Sequence, residues 1–153
     1  MLMRDVPSEE LPMHPKLKLA FYDLLSMLFR NHMSTVAAVP PAVFQPLIKL
    51  IKSGLGDLDS GASTSAAHAA DALATAYVKG MHKESPETRH LNAHIKAMPQ
   101  IFEYLMQHLF WIVAFSDVSN HYTLSRPLLS LMVASARVKE SAFAELRDKI
   151  LRS

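Results

Sequence analysis

Alanines at positions 66, 67, 69, 70, 72, 74 and 76 keep side chains small over more than two turns of the stretch SGASTSAAHAADALATAYVKGMHK. Alanine is the strongest helix former, and small side chains let neighbouring helices approach closely. The stretch therefore predicts a helix sandwiched between others. The rest of the chain agrees with a helical assembly. Apolar residues recur at helical spacing almost throughout, and no segment shows sustained period-two alternation. The expected fold class is all-α.

The first helix is expected from Pro15 to about Asn31, with Leu17, Phe21, Leu24 and Leu28 on its apolar stripe and Leu25 beside them. Pro15 suits the first turn, where its missing N–H would be unpaired in any case. A second helix runs from about Pro41 to Lys52. It turns Val43, Phe44, Leu47, Ile48 and Ile51 inward and stops at a left-handed Gly54 or Gly56. The alanine-rich helix is the third. ESPETRHLNAHIKAMP forms a fourth, with Ser85 as cap and Pro86 at the first helical position. PQIFEYLMQHLFWIVAFSD forms a fifth, apolar on much of its circumference and so expected to be the most buried element. A sixth begins in NHYTLSRPLLSLM and runs to about Ala136. KESAFAELRDKILRS makes a seventh, with Phe143, Leu146 and Ile150 on one side.

About seven helices in consecutive antiparallel pairs fit either a closed bundle or a stack of HEAT- or armadillo-like helix pairs. The pairs recur at about 40 to 50 residues, the HEAT-like period, without a repeated sequence signature. The expected organisation is a flexible segment over residues 1–14 and a single helical domain over 15–153.

The bulk properties narrow the function classes. Half the residues are apolar and 20% are charged, with a formal net charge of +2. That is a globular composition without the field that a nucleic acid or an anionic membrane would call for. The absence of cysteine excludes disulfides and thiolate chemistry. The N-terminal stretch MLMRDVPSEELPMHP has no apolar core of signal-peptide length. The longest purely apolar run, Leu109 to Phe115, falls far short of the roughly 20 residues of a membrane span. The expectation is a soluble, intracellular chain.

Candidate chemistry is sparse. His90 and His94 stand four apart on a helix, a spacing that suits two metal ligands, but no catalytic Glu lies between them. A solvated helix face is the preferred reading. Glu103 and His108 are five apart and fall on different faces of their helix, so acid–base convergence is not expected. SGLGDLDSG lacks both the Walker lysine and the terminal glutamate of a calcium loop, and reads as a helix–helix turn. Basic residues do not gather into a stripe. In Ser125-Arg126-Pro127, Thr123 or Ser125 would cap a new helix with Pro127 in its first turn. Arg126 is left over, to pair with a carboxylate such as Asp117 or to face a partner. No catalytic, cofactor or metal site is predicted.

SDVSNHYTLSRPLLSLMVASARVKESAFAELRDKIL resembles the C-terminal part of the exportin-7 and Ran-binding protein 17 family, nuclear export receptors of the importin-beta superfamily. The likeness is carried by Asn120, by Leu124, Ser125, Arg126, Pro127, Leu128 and Leu129, and by Phe143 with ELRDKI. Upstream, His32-Met33, Gly54-Leu55 and Leu58-Asp59 occupy similar places. The resemblance implies a C-terminal piece of a HEAT-repeat solenoid whose full-length form carries protein cargo under Ran-GTP control. It further implies contact with nuclear pore proteins and shuttling between nucleus and cytoplasm, with no cofactor, nucleic acid or membrane. A solenoid segment should also expose an apolar end. Self-association through residues 15 to 35 is the expected consequence. A free-standing helical adaptor with unrelated partners is the competing expectation.

Overall fold

In a computed structural model, residues 14–81, 83–115 and 121–152 are described, and all their regular elements are helices. They are α1 (Pro15–Asn31), α2 (Met33–Ala38), α3 (Pro41–Leu55), α4 (Ser60–Gly80), α5 (Pro86–Ala97), α6 (Ile101–Phe115) and α7 (His121–Arg152). The expected flexible segment falls almost wholly outside the described residues.

α4 is the spine of the assembly. It packs on α1, α3, α5 and α7, and eleven of its 21 residues are buried. Ala62, Ala66, Ala67, Ala69, Ala70 and Ala74 have no exposed surface at all. α6, expected to be the most buried element, buries only Ile101, Phe102, Leu105, Leu109 and Ile112. Its main neighbours are α3 and α7, so Phe110, Trp111 and Phe115 on its other face stay exposed. Mean apolarity misled here because it counts residues, whereas burial depends on how many neighbours surround a helix.

The helices repeat as a unit. α1, α2 and α3 form one long–short–long set, and α4, α5 and α6 form another. Each element packs on its equivalent: α1 on α4, α2 on α5, α3 on α6. α4 also packs on α3, and α7 packs on α6 and on α4 in the corresponding way. α7 thus takes the place of the first helix of a third unit. This is the packing of an α-solenoid, in which each repeat buries its core against its neighbours.

Two element boundaries differ from expectation. His32, at φ −131° and ψ 41°, breaks the first helix, and α2 restarts for six residues before Val39 leads into Pro40-Pro41. Fewer than two turns leave no periodic signal, so α2 was invisible in the pattern. The expected sixth and seventh helices are instead one continuous α7 of 32 residues, about 48 Å long. Pro127 lies inside this helix, so neither Thr123 nor Ser125 caps it. α7 buries Leu124, Pro127, Leu131, Ala134, Ser135 and Val138. Beyond Val138 none of its described residues is buried, and Phe143, Leu146 and Ile150 lie open to solvent. Ion pairs from Lys139 to Glu103 (3.5 Å) and from Glu145 to Lys96 (3.7 Å) bridge this part to α6 and α5.

Local chemistry explains the remaining helix ends. Asp59 Oδ1 accepts from the backbone N–H groups of Gly61 and Ala62 at the start of α4. Ser85 Oγ accepts from the Thr88 N–H at 3.1 Å, with Pro86 at the first helical position, as expected. SGLGDLDSG is indeed a helix–helix turn, though Gly56 ends α3 at φ −90° and no described glycine has positive φ. Asp57 in that turn pairs with Lys18 of α1 at 2.9 Å.

On α1 the buried residues are Tyr22, Leu25, Ser26 and Phe29, while Phe21 and Leu28 are half-buried. Leu17 and Leu24 are 60% and 49% exposed, and Met27 is exposed beside them. The core stripe is therefore rotated from the expected one, because α1 is apolar around much of its girth and α4 selects the face it meets. Val43 of α3 is likewise exposed, although Phe44, Ile48 and Ile51 face inward as expected.

At Gly54 α3 lies close against α1 and α4. A Cβ built there would sit 2.5 Å from the Tyr22 ring and 2.7 Å from Ala66 Cβ. Tyr22 is pinned in turn, since its hydroxyl donates to the Leu50 carbonyl at 3.0 Å. Gly54→Ala is expected to cost about 1–3 kcal/mol of stability by overpacking. Gly56→Ala, which meets only the end of the His108 ring at 3.2 Å, should cost markedly less. Urea unfolding of both variants checks this; equal midpoints would refute the close approach.

Candidate functional site: a groove across α1, α4 and α7

The solenoid's first layer leaves α1 and α7 on either side of α4. Between them runs a groove of about 630 Å³. Its floor is Ala72, Thr75 and Ala76 of α4, whose small side chains leave the space open. Phe29 and Arg30 of α1 with Met33 of α2 line one wall, and Tyr122, Thr123, Arg126 and Pro127 of α7 line the other. His68 and Asp71 of α4 complete it.

The sequence places these groups by helical spacing. His68, Asp71 and Thr75 stand at i, i+3 and i+7 on α4, one polar stripe through an otherwise alanine-rich helix. Pro127 is fully buried, and its missing N–H withdraws the donor that the Thr123 carbonyl would receive in a regular helix. Arg126 follows on from the buried Leu124 and projects to the exposed side of α7. Its expected partner Asp117 lies outside the described residues, as does Asn120.

Electrostatically the groove is biased towards cations. Arg30 and Arg126 are exposed, and Asp71 is half-buried with Thr75 Oγ1 donating to it at 3.4 Å. Burial pushes the His68 imidazole below its ordinary value of 6.5, and Arg30 and, more weakly, Arg126 push the same way. Asp71 opposes them without reversing the shift. Neutral His68 is therefore the resting form at neutral pH. A second recess, of about 460 Å³, adjoins along α1 and shares Arg30 and His68. There Ser65 Oγ donates to the Asp23 carboxylate.

The other candidates do not come together. His90 is exposed, whereas His94 is buried. The His94 ring stacks on Phe44 with centroids 3.9 Å apart and hydrogen-bonds the Ala37 carbonyl through Nε2 at 3.0 Å. The solvated face expected for this pair is true of His90 alone; His94 is a joint between α5, α3 and α2. Glu103 turns to Lys139, while His108 lies beside Gly56 at the end of α3. Burial and Lys52 push His108 below its ordinary value too. Among the described residues, no group of three or more His, Asp or Glu could hold a metal ion, and no helix is long and apolar enough to cross a membrane.

Sequence reasoning singled out Arg126 and Pro127 but missed Arg30, His68, Asp71, Thr75 and Tyr122. The polar stripe through the alanines was the available signal on α4. Nothing in the linear sequence joins that stripe to residues of α1 and α7.

Comparison with known proteins gives the chain relatives along nearly its whole length. It is 29% identical over 160 residues to exportin-7-B of Xenopus laevis, covering 99% of this chain. It is 27% identical over 162 residues to human Ran-binding protein 17, again covering 99%, and 27% identical to Ran-binding protein 16 of Drosophila melanogaster. The chain spans only 14% of the length of these relatives. No family model and no solved structure matches it.

The lowered histidines set a pH dependence. The unfolded chain binds protons near pH 6.5, whereas folded His68 and His108 resist them. Their contribution to stability is thus full above about pH 6.5 and is lost as pH falls through their lowered folded values. The melting midpoint should drop between pH 7.5 and 5.5, and a His68→Gln/His108→Gln double variant should drop less. An unchanged pH slope in that variant would contradict the shifts.

Proposed function

We propose that the chain is a segment from the C-terminal part of a Ran-dependent nuclear export receptor. It contributes HEAT-like repeats to protein–protein binding in nucleocytoplasmic transport. The observation that carries this reading is the similarity to exportin-7 and to Ran-binding proteins over 99% of the chain. The fold supports it. Like-on-like stacking of α1–α3 on α4–α6 is how a solenoid propagates, and such stacks build long surfaces for partners.

In this reading the full-length receptor binds protein cargo and Ran-GTP, contacts nuclear pore proteins and shuttles between nucleus and cytoplasm. The segment works by binding rather than by catalysis. Leu17, Ala20, Leu24 and Met27 form an exposed seam on α1 at i, i+3, i+7 and i+10. That is the face a solenoid helix offers to a preceding unit, and in the isolated 153-residue chain it is the surface for self-association.

The test is retention of Ran by the full-length gene product that contains this sequence, with and without residues 15–153. The intact protein should retain GTP-loaded Ran in preference to the GDP form. Deleting the segment should leave a fluorescent cargo accumulated in the nucleus. A full-length product that ignores the nucleotide state of Ran and changes no cargo distribution when shortened overturns the reading.

A further inference from the structure

We infer that the groove across α1, α4 and α7 is a docking site for a short acidic peptide segment, with a carboxylate held between Arg30 and Arg126. This rests on the groove alone and not on the receptor reading.

Three features of the groove select that ligand. Two guanidiniums stand on opposite walls, one on α1 and one on α7, and a guanidinium fork matches a carboxylate through two parallel N–H donors. Among the described residues, each nearby carboxylate already accepts one internal hydrogen bond: Thr75 donates to Asp71, and Ser65 donates to Asp23 in the adjoining recess. The lining carries two arginines against one aspartate, Asp71, and that excess favours an anionic ligand. The walls also carry the apolar side chains of Phe29, Met33 and Pro127, and Tyr122, with its aromatic ring, is 93% exposed at the edge. An acidic segment carrying one apolar side chain would cover that ring while its carboxylate reaches the arginines. A nucleic-acid backbone would call for a continuing basic stripe, and the charged basic side chains lining the groove are Arg30 and Arg126.

The ligand class also predicts how binding varies with pH. His68 shares the groove floor with Asp71 and faces Arg30 from α1 and Arg126 from α7, with Asp23 of α1 across the adjoining recess. Burial first, and then Arg30 and more weakly Arg126, favour its neutral form in the free protein. An added carboxylate offsets the arginines and favours its protonation, so docking should tighten as pH falls from 7.5 to 6.

The experiment uses the full 153-residue chain and fluorescence anisotropy with four labelled probes. They are a hexapeptide alternating Glu and Leu, its Gln-for-Glu counterpart, the Gln peptide with one Gln replaced by phosphoserine, and a single-stranded RNA hexamer. The acidic peptide should bind at least tenfold tighter than the Gln counterpart and weaken with added salt. Arg126→Glu and Arg30→Glu should each reduce its affinity at least tenfold, and Arg126→Lys should restore part of it. Both arginines are exposed, and unchanged melting midpoints in the Glu variants exclude unfolding as the cause. His68→Gln should keep binding but lose its tightening at pH 6. Equal binding of the Glu and Gln peptides, or full affinity in Arg126→Glu, overturns the proposal. So does a preference for the phosphopeptide or the RNA over the acidic peptide.

Discussion

The distance between α4 and its neighbours is set by side chains no larger than a methyl group along much of its length. Ala62, Ala66, Ala67, Ala69, Ala70 and Ala74 are wholly buried, and most of the remaining structure is arranged around that fact. Alanine loses almost no side-chain entropy on burial, so a helix of this kind is enclosed at little conformational cost. Close approach also explains why Gly54 faces Ala66 and the Tyr22 ring, where no larger residue fits. With α4 drawn in tightly, α1, α3 and α7 can all touch it, and each helix of one repeat meets its counterpart in the next.

The same spine creates the groove. Where α4 carries Ala72, Thr75 and Ala76, its small side chains leave a channel between α1 and α7 instead of filling it. Polar residues His68, Asp71 and Thr75 line the cleft along one helical stripe, so a single helix supplies both a core and a lined cleft. Packing density along α7 follows from this geometry. The helix is anchored through Val138, where α4 and α6 reach it, and its last turns extend past them with Phe143, Leu146 and Ile150 uncovered.

Much of this fold was legible in the sequence. The alanine tract announced a sandwiched helix, Pro15 and Ser85 marked helix starts, and the SGLGDLDSG turn was recognisable from its missing ligands. What was not legible depended on tertiary context. α2 is too short to show a period. α7 was divided because Pro127 reads as a first-turn residue, whereas the helix begins at His121 and tolerates it inside. The α1 stripe was misplaced because several faces of that helix are apolar, and only contact with α4 chooses among them. The groove was legible in part: Arg126 stood out as a residue that helix capping leaves unexplained, but its neighbours Arg30 and His68 are joined to it only by the fold. Likewise His94 looked like one half of a solvated pair until the Phe44 ring and the Ala37 carbonyl enclosed it.

If α4 is the spine, its backbone should open only when the whole domain unfolds. Native-state hydrogen exchange resolved by residue measures this directly. The amides from Ala66 to Ala74 should exchange slowest, with an opening free energy equal to the global stability from urea unfolding. The amides from Lys139 to Arg152 should exchange faster by orders of magnitude. Exchange in α4 as fast as at the end of α7, or slowest protection lying in α6 instead, would contradict the account.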